Sequence, residues 1–338
     1  MSLLNRPLAL LMLVLPGLVS AQTLADCRSI PGAERRLACY DQLPVSTIAV
    51  LPATRQVSGQ TGVPAPRSSS LLGQAWELDD GERGQILRIR QYKPVYVLPA
   101  FHASRVNHFP SSPAPGHASI SSADVDATET KYQISLKAKL FEDLLGDNGD
   151  LWFGYTQSSR WQVFNSNTSR PFRETNYEPE LMFLWRTNSP LAGWRVRTLG
   201  LGINHQSNGR SLPLSRSWNR MIGTLALEKE EWTVTFRPWW RIPESRDQDD
   251  NPDIANYLGR GDLQVIRHFG DQELSVMLRH SLRSGGNSHG AVQLDYAFPL
   301  AGKLRGHLQW FSGYGESLID YNHRANYYGV GLSLLEWY

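Results

Sequence analysis

Only two cysteines occur in 338 residues, and the formal net charge is just +2. Two cysteines leave room for one disulfide, and so small a charge gives no footprint for nucleic acid. Beyond the N-terminus no run of 18 apolar residues occurs, so no spanning helix is expected. That shortage does not exclude a membrane protein. Barrel strands are half polar and cross a bilayer without a strong hydropathy signal. Tryptophan, by contrast, is plentiful, with 11 residues in a chain whose mean hydropathy is −0.37.

The first 21 residues read as a secretory signal. Arg6 supplies the positive charge, Leu8 to Leu15 the apolar run, and Val19-Ser20-Ala21 the small-residue cleavage site. Cys27 and Cys39 follow closely, and in an exported chain one disulfide closing this short loop is expected. Residues from Leu43 to Leu71 carry several prolines and the run Ser68-Ser69-Ser70, with no sustained period, and read as a linker. Residues 22–83 are therefore expected to be a short periplasmic extension, and 84–338 the main domain.

From about Gln91 the chain alternates. Tyr132, Ile134, Leu136, Ala138 and Leu140 share one face, and Lys131, Gln133, Ser135, Lys137 and Lys139 the other. Period 2 is the strand signal. Connections alternate short and long, and eight tryptophans (152, 161, 185, 194, 218, 232, 310 and 337) stand near strand ends, as an interfacial girdle requires. These features predict an all-β, twelve-stranded antiparallel transmembrane barrel. Its strands begin near Tyr92, Lys131, Gly149, Pro179, Trp194, Ser217, Glu231, Asp253, Asp271, His289, Lys303 and Ala325. An even count puts the short turns in the periplasm and the long loops outside. Lys137, Lys139, Arg237, Arg260, Asp262, Arg279 and Asp295 would then fill the lumen with mixed charge.

On the fifth strand Leu199, Leu201, Ile203, His205 and Ser207 share a lipid-facing parity, and Asn219 continues the matching stripe on the sixth. A serine nucleophile needs a base within hydrogen-bond reach and a group that orients the base. Ser207, His205 and Asn219 supply that set at the outer rim, where a hydrolase can reach a lipid ester. Gly209 offers an unobstructed backbone N–H to the oxyanion, and a nearby cation would help further.

The segment Asn204 to Arg220 resembles the active-site segment of the outer membrane phospholipase A family. So do Gly154 to Ser158, Ser169 to Pro179, Asp249 to Ile254 and Ser312 to Asn322. The resemblance spans roughly Ile86 to Tyr338. It implies an outer-membrane barrel that hydrolyses the sn-1 and sn-2 esters of phospholipids, with the active site at the external leaflet. It further implies dependence on Ca2+ and activity as a homodimer, with the monomer at rest. The ligands it implies are the Ser215 hydroxyl and Arg210 carbonyl, with the Ser169 carbonyl from a second subunit. Oxygen donors suit that hard cation. Where the family carries an aspartate between Arg210 and Ser215 this chain has Leu212, so a second, monomer-type calcium site would have to draw on Asp247, Asp249 or Asp250.

Gln157 shares the lipid-facing parity of Leu151, Phe153 and Tyr155. An amide facing acyl chains without partners is costly. Either headgroup water satisfies it or it meets its counterpart on a second barrel, and the resemblance favours the dimer contact. Two rival functions remain at this level: a lipid A deacylase of the outer leaflet, and a porin-like barrel with no chemistry.

Overall fold

Alternating side chains build strands here because one face of each can be sealed against a polar interior while the other meets hydrocarbon. The computed structural model describes residues 30–41, 70–81 and 83–337. The expected signal and most of the linker lie outside the described residues, as does Cys27. Residues Met1–Ala65 and Pro66–Tyr338 form separate units. Within the first, a helix α1 spans Ala33–Asp41 and Cys39 is disulfide-bonded.

The second unit is a closed antiparallel barrel. Its strands are β1 Val95–Ala103, β2 Thr128–Phe141, β3 Asp150–Trp161, β4 Phe172–Leu191, β5 Trp194–Ser207 and β6 Ser217–Lys229. They continue as β7 Trp232–Ile242, β8 Gly261–Phe269, β9 Gln272–His280, β10 Gly290–Ala301, β11 Leu304–Tyr314 and β12 Arg324–Leu335. Each pairs with its sequence neighbour, and β12 pairs with β1 to close the ring. Closure leaves no unpaired edge, the condition for crossing a bilayer. A two-residue strand, Arg90–Gln91, adds to β2.

Two strand starts differ from the alternation reading. β4 begins at Phe172, not Pro179, and runs 20 residues. Its charged first half resembles a loop in sequence, yet Glu174 and Asn176 point into the barrel mouth and are buried. β8 begins at Gly261, because Asp253 starts a short helix, Ile254–Tyr257, instead of a strand.

The outer surface is apolar: Leu199, Leu201, Ile203, Met221, Phe236, Trp240 and Val330 are all exposed. Two of the eight girdle tryptophans are misplaced by that reading. Trp152 and Trp218 are fully buried inside the barrel, since their parity is that of the lumenal face. Lys137 and Lys139 are buried there too, as the lumenal reading requires.

The lumen is filled at both ends. At the short-turn end sits a helix α2, Leu71–Trp76, whose N-cap Ser70 accepts from Gly73 N at 2.8 Å. Ser70 Oγ and Leu71 N both donate to Glu228, at 2.5 and 2.6 Å. Trp76 packs edge-on against Tyr92 and Trp152, and buried Glu77 pairs with Lys139 at 2.9 Å and Arg90 at 2.6 Å. Residues 70–79 therefore belong with the barrel. At the long-loop end, residues 315–323 fold inward and bury Leu318, Ile319 and Tyr321. Glu316 there pairs with Arg160 at 2.6 Å and Lys131 at 2.8 Å. A cavity of about 260 Å³ remains between these two fillings, and so packed an interior speaks against a diffusion pore.

Candidate active site at the outer rim

β5 and β6 run antiparallel in a register that sets His205 directly opposite Asn219 and Ser207 opposite Ser217. The parity that exposes Leu201 and Ile203 continues through His205 and Ser207, both half-buried, at the long-loop end of the barrel. His205 Nδ1 donates to Asn219 Oδ1 at 2.8 Å. This leaves Nε2 as the unprotonated ring nitrogen, the one that can act as a base. Ser207 Oγ makes no hydrogen bond among the described residues. Hydrogen bonds of this kind tighten when substrate binds.

The 208–216 turn is pinned by Asn208, whose side chain accepts from Arg216 N at 3.0 Å and donates to the Leu214 carbonyl at 2.8 Å. Gly209 follows at φ +62°, a left-handed conformation that glycine adopts without strain. A Cβ there would also stand 3.2 Å from the Tyr177 ring. The Gly209 N–H makes no hydrogen bond among the described residues, so it remains available to an oxyanion.

The calcium ligands implied by the resemblance lie on two loops. Ser215 Oγ donates to Asp250 Oδ2 at 2.7 Å and keeps its lone pairs. Asp250 also accepts from Ser217 Oγ at 3.2 Å and pairs with His117 at 3.0 Å. The Arg210 carbonyl accepts no hydrogen bond among the described residues. Neither does the carbonyl of Ser169, which sits with Arg170 in the left-handed region. Neutral oxygens beside one carboxylate fit a hard cation such as calcium. No group of three His, Cys, Asp or Glu that could hold a metal occurs among the described residues, so a site here would be built from hydroxyl and carbonyl oxygens. Of the three aspartates considered for a second site, Asp249 is engaged by Arg241 at 2.5 Å and Asp250 by Ser215 and His117, while Leu212 is exposed.

Gln157 is not partnerless. Tyr155 Oη donates to its Oε1 at 3.1 Å, and its Nε2 lies 3.5 Å from Ser159 Oγ. Hydroxyls two residues away on the same strand engage the amide within one barrel, a correction to the expectation that it lacks partners.

The phospholipase A1 family model matches residues 72–334. This chain belongs to the phospholipase A1 family. A relative from Neisseria meningitidis serogroup B is 38% identical over 348 residues, covering 92% of this chain and 90% of that protein. The phospholipase A1 of Escherichia coli strain K12 is 44% identical over 206 residues, 61% of this chain and 69% of its own. Among solved structures, the outer membrane phospholipase A of Escherichia coli aligns with a TM-score of 0.66 at 37% identity, covering 75% of this chain and 100% of that one. The outer membrane phospholipase dimer of Salmonella typhi with bound calcium aligns at 0.68 and 36%, covering 80% and 99%. The family match begins inside α2, in agreement with the packing of that helix in the barrel.

Three further neighbours of the candidate site escaped sequence reasoning. Asn208 latches the turn, Tyr177 stands beside Gly209, and Glu244 accepts from Asn219 Nδ2 at 2.8 Å. Each comes from, or reaches to, a segment distant in sequence or a loop without a period.

Proposed function

We propose that this protein is a calcium-dependent outer-membrane phospholipase that hydrolyses sn-1 and sn-2 acyl esters through Ser207, His205 and Asn219 and is active as a dimer. The observation that carries the reading is the 2.8 Å contact between His205 and Asn219 on a lipid-facing stripe. A triad opening toward hydrocarbon meets the ester at its natural depth.

Ser207 attacks the ester carbonyl while His205 Nε2 takes its proton. His205 then returns that proton to the leaving alkoxide, and water repeats the sequence on the acyl-serine. Asn219 holds the imidazole with Nε2 toward Ser207. Gly209 N–H donates to the oxyanion. Calcium, when bound near Ser215 and the Arg210 carbonyl, supplies positive charge for the same developing anion. Support for calcium and for dimerisation comes from the Salmonella typhi relative, a calcium-bound dimer. Support for Ser169 and Gln157 as partner-facing groups comes from the exposed position of Ser169 and the outward parity of the half-buried Gln157.

The deciding measurement is fatty-acid release from phospholipid micelles with and without calcium, beside Ser207→Ala and with lipopolysaccharide as a second substrate. Release from phospholipid that needs both calcium and Ser207 is the expected result. Release from lipopolysaccharide alone would replace the phospholipase reading with a lipid A deacylase.

A further inference from the structure

Asn219 has a second neighbour that the proposed triad does not use. Its Nδ2 donates to Glu244 Oε1 at 2.8 Å, just beyond the end of β7. Glu244 Oε2 accepts from Arg241 at 3.3 Å, and the same guanidinium binds Asp249 at 2.5 Å. Two carboxylates thus share one guanidinium, and the trio keeps a net negative charge behind Asn219. A carboxylate only accepts hydrogen bonds, so it fixes which end of the asparagine amide faces it. The oxygen is left facing His205.

That choice matters because an amide torsion is broad and roughly two-fold. Turned round, the amide would donate to Nδ1 and hold the ring proton on Nε2, the nitrogen that has to accept from Ser207. Hydrogen-bond chains also polarise one another, so an amide donating to a carboxylate is a better acceptor for an imidazolium.

We infer that Glu244 is a positioning residue of the site, which fixes the Asn219 amide and supplies from one residue further out the negative charge that a neutral third member lacks. The inference rests on reading Ser207, His205 and Asn219 as the catalytic set. It also accounts for an amide at 219: a carboxylate there would stand 2.8 Å from another carboxylate, and like charges that close cannot both ionise.

The test is a cycle of wild type, N219D, E244Q and N219D/E244Q, with Ser207→Ala alongside, assayed on phospholipid micelles with calcium. E244Q should lower kcat about tenfold, the size of one charge-assisted hydrogen bond, with KM unchanged. N219D should lose more, about a hundredfold, from carboxylate repulsion. The double variant should regain at least about tenfold over N219D, because a glutamine amide can donate to the new carboxylate. All four should migrate as heat-modifiable barrels. Losses that simply multiply in the double variant, or E244Q at the wild-type rate, would overturn the inference. So would an E244Q protein that no longer folds, since the role would then be structural. Turnover retained by Ser207→Ala would instead remove the catalytic reading beneath it.

Discussion

Lys137 places its ammonium 3.4 Å from the centre of the Trp76 ring, so a strand residue and a helix residue meet inside the barrel. Desolvated cation–π contacts contribute about 2 kcal/mol or more. Tyr92 and Trp152 complete the cluster around the same ring. Trp76→Ala removes the ring from all three, and large-to-small core changes of this type cost about 3–5 kcal/mol. The variant should unfold at a clearly lower temperature, read as the loss of the fast-migrating folded band on a heated gel. An unchanged transition would mean that the helix adds nothing to the barrel.

Removing the nucleophile should separate fold from chemistry. Ser207→Ala should leave the barrel intact while turnover falls by about four orders of magnitude or more. Asn219→Ala should lose less, because the imidazole still finds its orientation part of the time. Single-turnover fatty-acid release would read both, and near-wild-type release by Ser207→Ala would disprove the assignment.

The sequence made the barrel legible because two faces with opposite solvents impose period 2 on every strand, as in residues 131–140. Position along the chain was less legible than parity. The first half of β4, residues 172–178, carries charges on its inward face at the barrel mouth, and that pattern is shared with loops. Trp152 and Trp218 look like girdle residues from their place near strand ends, yet the outward parity of Leu151, Phe153 and Asn219 beside them already turns both inward. His205, Ser207 and Asn219 could be found because β5 and β6 are adjacent in sequence. Glu244 could not, since its link to Asn219 depends on how the 243–260 loop leaves β7. Ser70 to Asp79 gave no period because a six-residue helix is too short to show one.

Calcium dependence should trace to Ser215 and its neighbour. Chelation should abolish hydrolysis but spare the barrel, whose hydrogen bonds close without an ion. Ser215→Ala should raise the calcium needed for half-maximal rate about tenfold, and Asp250→Asn should do so too, because groups that orient a ligand weigh about tenfold or more on affinity. Calcium titration of the rate checks both. Full activity in excess chelator would take the metal out of the mechanism.

Gln157→Ala should shift calcium-loaded protein toward monomer and lower the rate in parallel. Because Tyr155 already satisfies the amide, the loss should stay near the lower end of the range for membrane amide pairs, about 1 kcal/mol. Cross-linking in detergent measures it, and an unchanged dimer yield would leave the contact unassigned.

Acid should loosen the outer mouth. Burial raises the Glu316 carboxyl, but Arg160 and Lys131 outweigh it and hold it well below the usual carboxylate range. A depressed carboxyl contributes stability that is complete above its unfolded value, about 4.3, and drains away as pH falls toward the folded one. The Glu316 contribution to the unfolding midpoint, read as the difference from Glu316→Gln, should therefore be flat above about pH 5 and fall below about pH 4. Glu316→Gln should flatten that slope and cost about 3 kcal/mol at neutral pH, by leaving two cations without their partner. Denaturant melts from pH 3 to 7 would show it.

The hydrogen bonds, ion pairs and ring contacts of residues 70–79 fall on Tyr92, Lys137, Trp152, Arg197, Glu228 and their near neighbours. Those partners lie on β2, β3, β5 and β6 and the segment leading into β1. Among the described residues, the seam between β12 and β1 takes no part, and a sheet of the first six strands, still open along one side, already carries every anchor that the helix uses. The last strands can therefore wrap a hub that is already seated. Nothing has to be threaded into a finished ring, and the seam can be the final join to zip.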